Sequence, residues 1–268
     1  MLLAIRSELR KFFTTRLWWG MAIGVAVSAV AFALLTSLTA GLEVSPGVKT
    51  PGLDDPAVVR GVYSSGLSVA YLMTLAVGVM MIGAEYRHKT ITGTFLARPR
   101  RAVVMAAKVA ALLVIGAFYG VISMGTSVIT GASVIAAKGY SAFPDASVWR
   151  TVALGLLVLG LWALIGLGIG ILIPNQVAAL LISIGVAWIV EPLLAQLVLP
   201  LWEWGRTAAQ YFPSAATQAT MAVSAQSGFD PTQSLKMLPW WGGATVLAGY
   251  AAVMAIIGTL LTLRRDVT

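Results

Sequence analysis

Apolar residues run along this chain in long blocks separated by short polar stretches. A helix needs about 20 mostly apolar residues to cross the hydrocarbon core of a bilayer. Six blocks reach that length, near Leu17–Leu38, Val62–Gly83, Ala102–Ser127, Val152–Ile173, Val177–Leu197 and Trp241–Leu263. Trp18, Trp19, Trp149, Trp202, Trp204, Trp240 and Trp241 fall near the expected ends. Indole rings anchor there, at membrane–water interfaces. The pattern predicts an all-α, polytopic membrane protein with six transmembrane helices, residues 1–268 forming a single transmembrane domain.

Composition agrees. The chain is 59% hydrophobic and 10% charged, where a soluble domain carries about 25% charged residues. Its mean hydropathy is +0.88. With no cysteine, disulfides, thiol catalysis and thiolate metal sites are excluded. The first apolar block is long enough to span and follows an amphipathic segment, so it does not read as a cleavable signal peptide.

Charge sets the orientation. Six spans put both termini on one side, with twelve lysines and arginines there and six on the other. Acids bring the first side to net +9 and the second to zero, with Glu191 inside a span. Basic loops stay in the cytoplasm, so both termini are expected to be cytoplasmic in a cell membrane of bacterial type. The basic balance is thus topology, and no nucleic acid is expected as a partner.

The loops are unequal. Pro174-Asn175-Gln176 makes spans four and five a tight hairpin. The outer loop near Thr39–Gly61 contains Pro46, Pro51 and Pro56 and reads as irregular. The outer segment 198–240, before the last span, is only moderately polar and contains the small-residue run Ser214-Ala215-Ala216-Thr217.

Three features stand out. In residues 1–16, Leu2, Ile5, Leu9, Phe12 and Phe13 follow helical spacing, with Arg6, Arg10 and Lys11 off that stripe. This suits an amphipathic helix lying among membrane lipids; an ordinary basic start to a signal anchor is the plainer reading. In residues 84–101, Glu85 and Lys89 have i,i+4 spacing, which extends span two as helix. Arg98-Pro99-Arg100 breaks the chain. Between them, His88–Ala97 fits a short helix parallel to the membrane, carrying Thr90, Thr92 and Thr94. Arg101 would open span three, and Lys108 would snorkel back to the interface. A solvated basic loop that only enforces topology explains the charge equally well. Third, Glu191-Pro192 lies inside an apolar block. An intramembrane carboxylate is by default a functional residue. A structural break before a re-entrant or surface-lying Leu193–Leu201 is favoured over proton or substrate coupling.

Much chemistry is absent. His88 is the only histidine, so Ser–His proteases, HExxH metalloproteases and haem-ligating bundles lack their residues. There is no GxxxxGK[ST] phosphate loop. Few charges lie within spans, against an ion-coupled transporter or a channel. The chain is not expected to be an enzyme by itself, nor to hold a cofactor or metal.

The stretches Ser7–Trp19 (SELRKFFTTRLWW) and Ala84–Lys108 (AEYRHKTITGTFLARPRRAVVMAAK), within six spans and a long outer segment before the last, resemble the permease subunits of type-2 ABC exporters. This ABCG-like group includes drug, bacteriocin and polysaccharide exporters. The resemblance implies that residues 1–16 are the elbow helix, with Arg6, Arg10 and Lys11. It implies that His88–Ala97 is the cytoplasmic coupling helix that docks on the ATP-hydrolysing subunit. Glu85, Arg87, His88, Lys89, Thr90, Thr92, Thr94, Arg98, Arg100 and Arg101 would form the ATPase-coupling loop. Glu191 and Pro192 would mark the outer gate or helix break. The implied partners are an ABC ATPase subunit, which carries ATP and magnesium, a second permease copy or paralogue, and membrane lipids. The implied function is ATP-driven export of a lipophilic or amphipathic drug, peptide or lipid-like cargo. The competing reading is a non-transporting membrane anchor or scaffold for a cytosolic assembly. An intramembrane lipid enzyme is disfavoured because paired polar side chains are missing.

Overall fold

The computed structural model describes residues 1–45, 48–88, 90, 101–222 and 237–264. Among the described residues six helices are long and apolar enough to cross a membrane, which makes the chain a multi-pass membrane protein by length and composition. A short helix α1 (Leu2–Phe13) precedes α2 (Leu17–Thr39). A small antiparallel ribbon follows, β1 (Glu43–Ser45) with β2 (Val48–Lys49). Then come α3 (Pro56–Ser64) and α4 (Leu67–Arg87), which read as one apolar stretch, α5 (Arg101–Ala137) and α6 (Ser147–Leu172). Helix α7 (Gln176–Leu201) leads into two short helices, α8 (Glu203–Ala209) and α9 (Pro213–Thr220), before α10 (Trp240–Arg264).

The described parts of Thr39–Gly61 thus hold a β-ribbon and the first turns of α3, where the prolines suggested irregular chain. Asp55 caps α3 by accepting the Ala57 N–H at 2.7 Å, with Pro56 at the first helical position. Proline loses nothing there, because the first amides of a helix have no helical partner. The long apolar helix α5 runs ten residues beyond the expected Ser127, to Ala137. At its end Lys138 Nζ donates to the Ser37 and Leu38 carbonyls at 2.8 and 3.2 Å. This places a cation at the negative C-terminus of α2.

Helix α6 is the centre of the bundle. Two thirds (67%) of its most apolar window is buried, against 22% for α2, 22% for α7 and 17% for α10. It packs on α4, α5 and α10. At the α4–α6 crossing, a Cβ on Gly78 would sit 2.0 Å from the Ala163 oxygen, and one on Gly166 would sit 2.1 Å from the Leu75 oxygen. Apolar tails give no hydrophobic drive between helices, so such backbone-to-backbone approach is what holds them together.

The expected break at Glu191-Pro192 does not occur. Helix α7 continues through Pro192 to Leu201 by widening into π-helical turns at Val186–Val190 and Leu194–Val198. Proline lacks an N–H and its ring clashes with the carbonyl four residues back. A π turn admits the extra backbone. The Glu191 N–H reaches the Val186 oxygen, five residues back. The Ala187 carbonyl, five residues before Pro192, faces the Tyr71 hydroxyl instead, at a long 3.5 Å. The true break is at Trp202, whose backbone is extended (φ −123°, ψ 143°).

After Trp202 the chain folds back. Helix α8 packs along the last turns of α7. Ser214 at the start of α9 then meets Glu191, ten residues short of the end of α7. At 1.5 Å per residue that is about 15 Å of re-entry. Helix α9 rises again against α10. The re-entry expected for Leu193–Leu201 is thus made by α8 and α9.

Candidate functional site

The end of the bundle that carries α1, Arg87 and Arg101 holds a closed ring of charge. Lys108 Nζ donates to Glu85 Oε1 at 2.6 Å and to Glu8 Oε2 at 2.8 Å. Lys11 Nζ donates to Glu8 Oε1 at 2.8 Å and to Glu85 Oε1 at 2.9 Å. Glu8 and Lys11 come from α1, Glu85 from the last turn of α4, and Lys108 from the second turn of α5.

Local sequence explains how each arrives. On α1 the inward face is Ala4, Glu8 and Phe12, at i,i+4 spacing. Leu2 and Leu3 point outward, at 82% and 73% exposure. The apolar stripe read from the sequence therefore overlaps the docking face only at its edge, through Phe12, and the centre of that face is an acid. Phe12 seats α1 on α5 through the Tyr119 ring, at 6.2 Å between centroids. Phe13 meets Trp18 and Phe118 edge-on. Tyr119 in turn donates to the Trp18 carbonyl at 3.1 Å.

Lys108 does not snorkel to the interface. Its side chain is 2% exposed, and the acids of two other helices receive it. A buried cation needs compensating charge and hydrogen bonds, or it will not remain ionised. Here two carboxylates face two ammonium groups, and the ring is neutral. Burial pushes the Glu8 carboxyl up, but the charge of Lys108 and the hydrogen bonds of both lysines outweigh it and hold it below the ordinary range. Burial likewise pushes Lys11 down, and its bonds and charge contacts with Glu8 and Glu85 leave it raised. Glu85 Oε2 is buried without a hydrogen-bond partner among the described residues.

Of the residues singled out in the sequence, Glu85 and Lys11 enter this ring. Arg6 and Arg10 are exposed on α1, as are Arg87, His88 and Thr90 beyond Glu85, while Arg101 is half-buried at the start of α5. Lys89, Thr92, Thr94, Arg98 and Arg100 lie outside the described residues, as does most of the expected His88–Ala97 helix. Glu8 was not among the expected site residues, and Lys108 was expected at the interface, not in a buried ring. The signal for Glu8 was the i,i+4 run Ala4–Glu8–Phe12, and for Lys108 a cation two turns inside an apolar helix.

No family model matches the chain, and no curated protein matches it.

The second feature surrounds Glu191. This carboxylate is 7% exposed and accepts the Ser214 N–H, capping α9. One turn on, Thr217 Oγ1 accepts the buried Trp162 indole N–H at 2.9 Å. The Trp162 ring lies against Tyr71, 4.6 Å between centroids. The re-entrant α9 is thus tied by polar contacts to α6 and α7. Among the described residues no group of three or more His, Cys, Asp or Glu is placed to hold a metal.

Proposed function

We propose that this chain is the membrane-spanning half of an ATP-driven exporter, a permease that works with a separate ATPase subunit and a second permease copy or paralogue. The ion ring carries this reading. It joins the N-terminal helix to the two helix ends that flank residues 88–101, the segment whose sequence resembles an ATPase-docking loop. A push on that segment reaches α4 and α5 directly, and α1 with them.

Coupling of this kind needs two packings of similar energy. Neutral ion rings suit such a switch, because each lysine already has two acceptors and can trade one for the other. The lightly buried helices α2, α7 and α10 are the ones with least intramolecular packing to lose on moving. The re-entrant α8–α9 hairpin would cap the exit at the opposite end. A non-transporting anchor has no use for that hairpin or for a carboxylate capping it.

Affinity purification of the tagged chain in mild detergent tests the proposal. Recovery of a stoichiometric protein with a P-loop is expected, encoded near this chain's gene. Recovery of the chain alone, or with a non-ATPase assembly, would favour the anchor.

A further inference from the structure

A cavity of about 630 Å³ opens beside α9, between α2, α3–α4 and α7. Its size lies in the range of small-molecule sites, about 300–1,000 Å³. Its wall has a consistent chemistry. Thr36, Ser68 and Ser214 supply hydroxyls and Gln196 an amide, while Tyr71 and Trp188 supply aromatic surface. Among the described residues no lysine, arginine or histidine lines it, and Asp55 stands on the lining. Just behind Ser214 lies the second carboxylate, Glu191. In a chain with eight more cations than anions, the charged residue on the described lining is an acid, Asp55.

Trp188 sits on the first π-helical turn of α7, at 61% exposure, and Pro192 of the same wall forces that turn open. Widened turns of this type recur at functional sites. Aromatic faces attract organic cations through the ring quadrupole. The hydroxyls and the Gln196 amide can serve a ligand of either sign, so preference for a cation comes from the aromatic faces and the Asp55 carboxylate.

We infer that this cavity binds lipophilic organic cations, held by the Trp188 and Tyr71 rings and the Asp55 carboxylate, in preference to anions of the same shape. That the bound cation is cargo rests on the export reading; that it binds does not.

Tetraphenylphosphonium and tetraphenylborate have the same shape and opposite charge, and they test this in the purified full chain in neutral-lipid nanodiscs without nucleotide, with empty discs subtracted. Saturable phosphonium binding that borate does not displace is expected. Trp188→Ala, at an exposed position, should weaken it about fivefold, the equivalent of one aromatic–cation contact. Ser68→Phe should fill the cavity and abolish it, with the melting temperature as a control on folding. Phosphonium binding no greater than to empty discs, equal displacement by borate, or unchanged affinity in Trp188→Ala would overturn the inference. Because no ATPase is present, these outcomes are independent of whether the chain couples to one.

Discussion

Lys108 Nζ lies 2.6 Å from Glu85 Oε1, and the pair links the last turn of α4 to α5 across the expected docking segment. Helix α1 closes the ring with Glu8 and Lys11. Removing one member leaves an uncompensated charge in a buried place, which costs about 3–5 kcal/mol. Lys108→Ala should therefore lower stability by roughly that amount, read as a fall in melting temperature or denaturant midpoint. Replacing all four residues with Leu or Met should cost far less, because no charge is then left alone. Equal destabilisation by the single and the fourfold change would contradict this reading.

The ring also sets a pH window. Glu8 has a lowered pKa, so its contribution is complete above the ordinary value of 4.5 and is lost as pH falls through the folded value. Lys11 is raised, so its contribution is complete below 10.5 and is lost as pH rises through the folded value. Helix α1 should stay docked across the neutral range and release at both extremes. The cysteine-free chain allows spin labels at introduced cysteines on α1 and α5 to report the distance. A change centred near neutral pH would contradict the assignment.

The α9 cap yields a third expectation. Glu191→Gln keeps an acceptor for the Ser214 N–H and should change stability little, whereas Glu191→Leu removes the cap and should cost about 1 kcal/mol. Thr217→Val removes the acceptor of the Trp162 indole and should cost about 1–3 kcal/mol, since a buried donor is left unpaired. Protease accessibility of the α8–α9 segment, with indole fluorescence alongside, measures both.

The α4–α6 crossing supplies a fourth. A side chain at Gly78 or Gly166 meets opposing backbone carbonyls and cannot be accommodated by rotating a neighbour. Gly78→Val should abolish recovery of folded protein, whereas Gly125→Ala, where nothing lies within 4 Å, should leave it unchanged.

The spans were legible because the bilayer demands length and apolarity, and both are written in plain composition. What the sequence concealed has a physical pattern. Pro192 looked like a break, since proline removes a donor, but the wide turns of α7 absorbed it. Glu191 looked like the start of irregular chain, and its role is to cap a helix returning from 23 residues later. The pairing of Glu8 with Lys108, the latter read only as a snorkelling cation, was hidden because each is costly alone and the partners lie 100 residues apart. Glu85 was found, but its i,i+4 neighbour Lys89 lies outside the described residues, and Lys11 and Lys108 are its partners here.

The most direct test of the coupling role compares the wild-type chain with the fourfold Glu8→Leu, Lys11→Leu, Glu85→Met, Lys108→Met variant, after matching their melting temperatures. The quantity measured is the co-purifying ATPase per permease and its turnover. A stoichiometric ATPase is expected on the wild type and about a tenfold loss of bound activity in the variant, the effect of some 1.4 kcal/mol of lost coupling. No ATPase on the wild type, or equal amounts and rates on both, would contradict it.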